Sequence, residues 1–434
     1  MTEERKAPPA AWYLLFVVTV ILTVAMIDRL SLTLLVEPIK RDLHIGDVQV
    51  SLLLGLSFAL PFSLFGLPAG YLVDKYPRRT LMAIGGLLWS VMTLASGLAP
   101  SFAWLFACRA GLGLGEAILS PCAYSLIRDA FPARQQPMAF GLHNIGGPLG
   151  AGLSLIIVGK LSRMDSIHLP GDWSTLAAWR VALCLVGVAS LISVLVLASV
   201  RDPGRGSEPA AGARDGANVR ATAQYIGARW PIYVSLFSAT ALYSIASLSI
   251  AAWLPTGFSR LFALPIDQVS QPLGLIQIVA PILGLGLAVV TLTALNRKAP
   301  IRRIALIGAA AMLLSTLALT TAIFSPARQA SWTAITVVAF FHPWIGVVVA
   351  TMLAWFTPSR MMGKVAAINF LLIGLVGTTF GPTLVPIIAF LFKGPAAIAY
   401  AIAVCGGAAY FFAAVALYFA GAASRNTDRS AVTS

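Results

Sequence analysis

Long apolar runs alternate with short polar connections along the whole chain. Each run is close to the roughly 20 residues that a helix needs to cross a bilayer. Twelve runs can be placed, at 12–35, 50–73, 80–98, 102–126, 138–161, 179–200, 231–254, 273–295, 304–324, 332–356, 365–392 and 396–420. The longest non-apolar stretch, 201–229, is rich in Gly, Ala, Arg and Pro and reads as a flexible linker between six spans and six. The predicted architecture is an all-α membrane protein of twelve transmembrane helices. It divides into a six-helix bundle at 1–200, a cytoplasmic linker at 201–229 and a second six-helix bundle at 230–434. The first run is not followed by a small-residue cleavage site and reads as a retained span rather than a signal peptide.

Composition agrees with this pattern. Of 434 residues, 58% are hydrophobic and only 11% charged, and the mean hydropathy is +0.86. A soluble globular chain is about 25% charged, and disorder requires low hydrophobicity with high charge, so both classes are excluded. The net charge of +14 would suggest nucleic acid in a soluble protein. Here no basic run is interleaved with aromatics, as single-strand binders require, and positive charge has a topological use instead. With both termini cytoplasmic, cytoplasmic segments hold 20 Lys and Arg and the opposite side holds 8. That bias supports a multi-pass protein of a bacterial-type inner membrane with both termini on the cytoplasmic side, membrane lipids as neighbours and no nucleic-acid partner.

The charges within spans carry the candidate chemistry. Asp28, Arg29, Arg109 and Glu116 lie inside apolar runs, where a charge at the bilayer centre costs about 2.5–3.5 kcal/mol even on the lenient insertion scale. Four unpaired charges would cost on the order of 10 kcal/mol, comparable to a whole domain's stability, so they are expected to pair. Arg109 and Glu116 are seven residues apart, which turns a helix by about 700° and separates them by about 10.5 Å on one face. The gap leaves room for Asp28 and Arg29, and the expected result is an electrostatic cluster joining spans 1 and 4. Two readings stand: an ion network that only fixes packing, or a proton-coupled site whose carboxylates respond to a cavity of changing dielectric.

Other positions are weaker signals. The segment Gly70 to Arg79 (GYLVDKYPRR) leaves span 2 with Asp74 available to cap a helix or pair with a base, and with Arg78 and Arg79 on the positive side. Span 8 exits into a second basic segment, NRKAPIRR, and spans 5 and 11 carry Gly147-Pro148 and Gly381-Pro382. Such echoes between six-span halves are a signature of secondary transporters. GxxxG pairs at Gly66/Gly70, Gly111/Gly115, Gly146/Gly150 and Gly377/Gly381 suggest close helix crossings, and the prolines of spans 5 and 11 add bends. His143 and His342 lie in or near spans, where either could line a cavity or titrate near neutral pH; a satisfied interior histidine is the preferred reading. In the second half, central charges are lacking, and the polar candidates are Tyr243, Ser244, Ser247, Gln277, His342 and Asn369. One charged wall and one mostly apolar wall would suit an amphiphile, its head near Arg29 and Arg109. The four cysteines show no CxxC spacing, and no residue set has metal-ligand spacing, so neither a metal nor a cofactor is expected. No Ser-His or HExxH arrangement marks an enzyme, and no charge ring or filter segment marks a channel.

Together the motifs resemble the major facilitator superfamily over essentially the whole chain. The span 2–3 loop is similar to its signature, with Pro77 where Gly is usual. Asn296 replaces the acid in the second-half copy. Within the superfamily, Asp28-Arg29, VEPIKRDL (36–43) and RAGLGLGEAILSP (109–121) resemble the Spinster-type lipid transporters. Symporters of organic anions in the same superfamily share part of this pattern, and drug exporters are a further alternative. The Spinster resemblance implies proton coupling at Asp28 and Glu116, and substrate and gating contacts at Arg29 and Arg109. It also implies a monomeric secondary transporter working by alternating access on protons and a small lipid-like solute.

Overall fold

The computed structural model describes residues 7–132, 135–161, 166–167, 176–204, 219–296 and 301–432. Twelve helices among them are long and apolar enough to cross a membrane. The first six are Pro9–Leu34, Asp47–Gly66, Arg78–Gly97, Phe102–Ala130, Met138–Leu161 and Ala178–Ser199. The other six are Trp230–Phe262, Ile266–Leu292, Ile301–Phe324, Arg328–Phe356, Lys364–Ala389 and Ala397–Ala423. They are numbered as spans 1 to 12 below. Each coincides with a predicted run. The structure adds short helices at Val36–Leu43 and Val219–Ala228 and a two-residue antiparallel ladder, Ser166–Ile167 with Leu176–Ala177. Most of the linker, 205–218, and the 297–300 segment lie outside the described residues.

Local sequence explains where the helices start and break. Pro9 opens span 1, where its missing N–H costs nothing. Ser101 caps span 4 by accepting from the Trp104 amide at 3.3 Å. Span 4 is interrupted at Ala117–Ile118, between Phe102–Glu116 and Leu119–Ala130. Pro121 accounts for this, because a proline cannot donate to the carbonyl four residues earlier and its ring crowds that carbonyl. Span 5 breaks after Asn144, four residues before Pro148, for the same reason. Span 10 breaks at His342–Pro343, and span 11 carries a π turn at Ile373–Gly377 ahead of Pro382. The bends expected in spans 5 and 11 are thus present, with two further interruptions.

The chain forms two compact units. One comprises Met1–Gly206 with Ala263–Ile278, and the other comprises Ser207–Phe262 with Val279–Ser434. The first part of span 8 therefore groups with the first unit. There Gly274 and Gly152 meet backbone to backbone, and a Cβ on Gly274 would stand 2.7 Å from the Gly152 carbonyl. Within the first unit, span 1 packs on spans 5 and 6, and span 3 on spans 4 and 6. Within the second, span 7 packs on spans 11 and 12, and span 9 on spans 10 and 12. The same order of pairing recurs six spans later. Many large apolar side chains face outward, among them Leu64, Val290, Phe390 and Leu391, as expected of surfaces that meet lipid rather than water.

Candidate functional site

The four charges within spans meet in the first unit. Asp28 and Arg29 are neighbours on span 1, about 100° apart on the helix, so they reach different partners. Arg29 donates from NH2 to Glu116 Oε2 at 2.5 Å. Its guanidinium lies 4.4 Å from the centre of the Phe58 ring and 5.3 Å from that of Phe62. Asp28 is fully buried, and its Oδ2 accepts from Trp89 Nε1 at 2.5 Å and from Thr93 Oγ1. Its Oδ1 lies 3.7 Å from Arg109 NH1, and Arg109 in turn sits 5.9 Å from the Phe58 ring centre. The pairing is crossed, each span giving one acid and one base, so the cluster is neutral overall.

The two pairs are not equivalent. Glu116 and Arg29 share a short charge-assisted hydrogen bond, of the stronger kind. Arg109 and Asp28 are in electrostatic contact only, and none of the three Arg109 guanidinium nitrogens has a hydrogen-bond partner. Asp28 Oδ1 and Glu116 Oε1 likewise have none. A buried pair stands on a narrow balance between desolvation and attraction, and loss of one partner costs about 3–5 kcal/mol. Arg29 and Glu116 also line a pocket of about 350 Å³ inside the first unit, together with His143, Ser120 and mostly aliphatic side chains such as Ile21, Met26 and Leu119. His143 is buried with no partner at Nδ1, contrary to the reading of it as a satisfied interior histidine.

Close helix crossings hold the cluster. A Cβ on Gly115 would stand 2.6 Å from the Gly85 carbonyl and 2.8 Å from the Trp89 amide nitrogen, so only glycine lets span 4 lie against span 3 there. The Gly146/Gly150 and Gly377/Gly381 pairs also sit in tight crossings, on span 1 and span 7 respectively, whereas Gly66 and Gly70 have nothing within 4 Å of a would-be Cβ. The expectation of a close crossing at Gly66/Gly70 is therefore corrected: the residues around that face stand off.

The loop motif after span 2 yields a buried clamp. Arg78 is 1% exposed. Its NH1 donates to Ser125 O and Oγ and to Asp129, and its NH2 donates to Asp202 Oδ1 at 2.8 Å and to Gly204 O at 2.9 Å. Arg79 donates to Ala198 O at 2.5 Å. The two arginines thus tie the start of span 3 to the ends of spans 4 and 6. The side chain of Asp74 lies outside the described residues.

In the second unit, the Tyr243 and His342 rings lie 5.1 Å apart, and Ser247 Oγ is 3.4 Å from His342 Nε2. Thr240, one turn before Ser244 on span 7, donates to Asn369 Oδ1 at 2.7 Å. Ser244 donates to Ala241 O. Gln277 belongs to the first compact unit and makes no side-chain hydrogen bond among the described residues. Phe58, Trp89, Thr93 and Tyr410 were not singled out from sequence. Phe58/Phe62 and Trp89/Thr93 are both i, i+4 pairs, the spacing of one helix face, but an aromatic in an apolar run carries no further signal. Among the described residues, no group of three His, Cys, Asp or Glu could hold a metal, and the four cysteines are free.

Twelve apolar spans in two units of like internal pairing, with a charge cluster in the first, define a class of multi-pass membrane protein. Residues 17–382 match the family model of the Major Facilitator Superfamily, and the chain belongs to that superfamily. It is 29% identical to Protein spinster of Drosophila melanogaster over 195 residues, 45% of this chain and 30% of that protein. It is 26% identical to an MFS-type efflux pump of Mycolicibacterium smegmatis over 285 residues, 65% of this chain and 62% of that protein. The matched stretches span less than two thirds of either relative. The fold is similar to that of a bacterial homologue of the human lysosomal transporter Spinster, a structure described as inward-facing and unoccupied, with a TM-score of 0.81 at 21% identity, covering 96% of this chain and 97% of that one. The efflux pump and the Spinster homologue are named for transport, and no relative among these is named as an enzyme.

Proposed function

We propose that this protein is a proton-coupled secondary active transporter of an amphiphilic, lipid-like solute with an acidic head group, working by alternating access. The observation that carries the reading is the Arg29–Glu116 pair lining an otherwise mostly aliphatic pocket. Arg29 has one guanidinium to offer, and Glu116 and an anionic head compete for it. A proton on Glu116 weakens that pair and frees Arg29, so proton and head group bind together. Asp28 is the second coupling acid, held with Arg109, and the aliphatic lining suits a tail. In the second bundle, Tyr243, His342 and Asn369 are proposed to contact the solute, and Gln277 is a further candidate. Gly70, Asp74, Arg78 and Arg79 form the conformational motif. The chain is proposed to work as a monomer in the inner membrane with both termini cytoplasmic, and the 20 to 8 distribution of bases supports that orientation.

Similarity to the efflux pump supports a second reading, export of a hydrophobic drug by the same machinery; an organic-anion symporter is the further alternative within the superfamily. Uptake into proteoliposomes separates them. An inside-alkaline pH gradient is expected to drive a fluorescent lysophospholipid into vesicles bearing the protein, and Glu116→Gln or Asp28→Asn is expected to abolish the gradient effect. Equal coupling in both variants overturns the proton role. Preference for a compact hydrophilic acid over the lysophospholipid overturns the lipid-like solute.

A further inference from the structure

His143 is a buried titratable group that the transport reading leaves unused. Its ring stands edge-on to Tyr124, with centroids 5.6 Å apart, and its Nδ1 has no hydrogen-bond partner. It lines the same pocket as Arg29 and Glu116.

Helix register places it within that pocket. Ser154 Oγ donates to Ile27 O at 3.1 Å, Gly150 packs at Thr23 and Met26, and Gly146 packs at Thr19 and Thr23. Spans 1 and 5 therefore run side by side in the same direction, and His143 falls about one turn beyond Gly146, toward Val18. Span 4 runs the other way: Glu116 is level with Arg29, and Tyr124 is level with His143. Eight residues, across the break at Ala117–Ile118, separate Glu116 from Tyr124, about 12 Å at a helical rise. The pocket is thus a trench with the ion pair at one end, the imidazole at the other and Ser120 between. Glu116 Oε1 and His143 Nδ1, two buried proton-accepting atoms without partners, belong to residues lining this one trench.

The charged and titratable neighbours are few. Span 1 contributes Arg29, engaged with Glu116, while Asp28 is turned to Trp89, Thr93 and Arg109. Span 4 contributes Glu116 and Tyr124, with Asp129 at its end held by Arg128 and by Arg78 of span 3. Span 5 contributes Lys160, at its opposite end.

We propose that His143 is the proton relay between Glu116 and the end of the bundle at the 131–137 connection. The inference rests on the reading of Glu116 as a coupling acid. Release toward that end breaks the O–H of the Glu116 carboxyl, forms N–H at His143 Nδ1 and breaks N–H at Nε2, with the proton passing to water. Uptake from that end reverses the sequence; the imidazole ends each passage neutral, and proton exchange with water in the trench from Nδ1 back to Nε2 restores its starting tautomer. The distance requires ordered water along the trench, and the Ser120 hydroxyl lies on the way.

The test uses the purified full-length chain without any solute. After a rapid drop in pH, the infrared carboxyl band reports protonation of Glu116, and loss of that band in Glu116→Gln assigns it. In His143→Gln the final amplitude is expected to match wild type, which also shows that the variant is folded, while the rate falls by at least about tenfold, the low side of general acid–base effects. In His143→Ala the slow rate is expected to recover when imidazole replaces phosphate as the buffer. A wild-type rate in His143→Gln, or a slow rate in His143→Ala that imidazole does not restore, overturns the relay. A band that is absent from wild type or unchanged in Glu116→Gln overturns instead the reading of Glu116 on which the relay rests.

Discussion

At the scale of residues, the cluster rests on Arg109 as much as on the acids. Arg109 is buried beside Asp28 without a hydrogen bond of its own, so its contribution is the charge that keeps the Asp28 carboxylate tolerable away from water. Arg109→Ala is expected to destabilise the protein by about 3–5 kcal/mol by leaving Asp28 uncompensated. Asp28→Asn combined with Arg109→Ala is expected to cost clearly less than the sum of the single changes, as coupled neighbours do. Thermal unfolding of the four proteins in one detergent measures this cycle, and strict additivity contradicts the pairing. Phe58 offers a second check, because its ring faces both Arg29 and Arg109. Phe58→Tyr keeps the π face and is expected to be nearly neutral, whereas Phe58→Leu is expected to lose about 1 kcal/mol in the same assay. The acids and bases of this site were legible in the sequence, since any charge inside an apolar run needs a partner. Phe58, Trp89 and Thr93 were not, because an aromatic or a threonine in such a run is the ordinary filling of a helix interface.

At the scale of elements, prolines and glycines decide where helices bend and how closely they approach. The break after Glu116 follows from Pro121, and the backbone meeting of spans 3 and 4 follows from Gly85 and Gly115. Gly115→Ala is expected to force these spans apart, moving Trp89 from Asp28, and to destabilise by about 1–3 kcal/mol as overpacked sites do. Gly70→Ala serves as the comparison: the added methyl meets nothing within 4 Å, and no loss is expected. The two glycines look alike in sequence, each part of a GxxxG pair, and only the packing separates them. The reverse holds at Arg78, which reads as a loop charge yet is buried among Ser125, Asp129, Asp202 and Gly204. Its partners lie 47 to 126 residues away, and the motif's own spacing holds no trace of them.

At the scale of the whole molecule, the twelve spans were legible because lipid imposes one requirement on every residue of a crossing helix, and a run of about 20 apolar residues meets it. The grouping of spans was less so. Gln277 follows the linker in sequence, yet it belongs to the first compact unit with Ala263–Ile278, since chain order does not dictate which neighbours the first part of span 8 packs against. The solute was not legible in full either: charges mark where a head group would be held, but an aliphatic pocket wall accepts many tails. The central claim is that Glu116 couples solute movement to protons by exchanging Arg29 for a proton. It is tested most directly in proteoliposomes containing wild type or Glu116→Gln, comparing gradient-driven uptake of a fluorescent lysophospholipid with its exchange at equal pH on both sides. The expected result is that Glu116→Gln retains exchange but loses gradient-driven accumulation. Accumulation by Glu116→Gln at the wild-type level would contradict it.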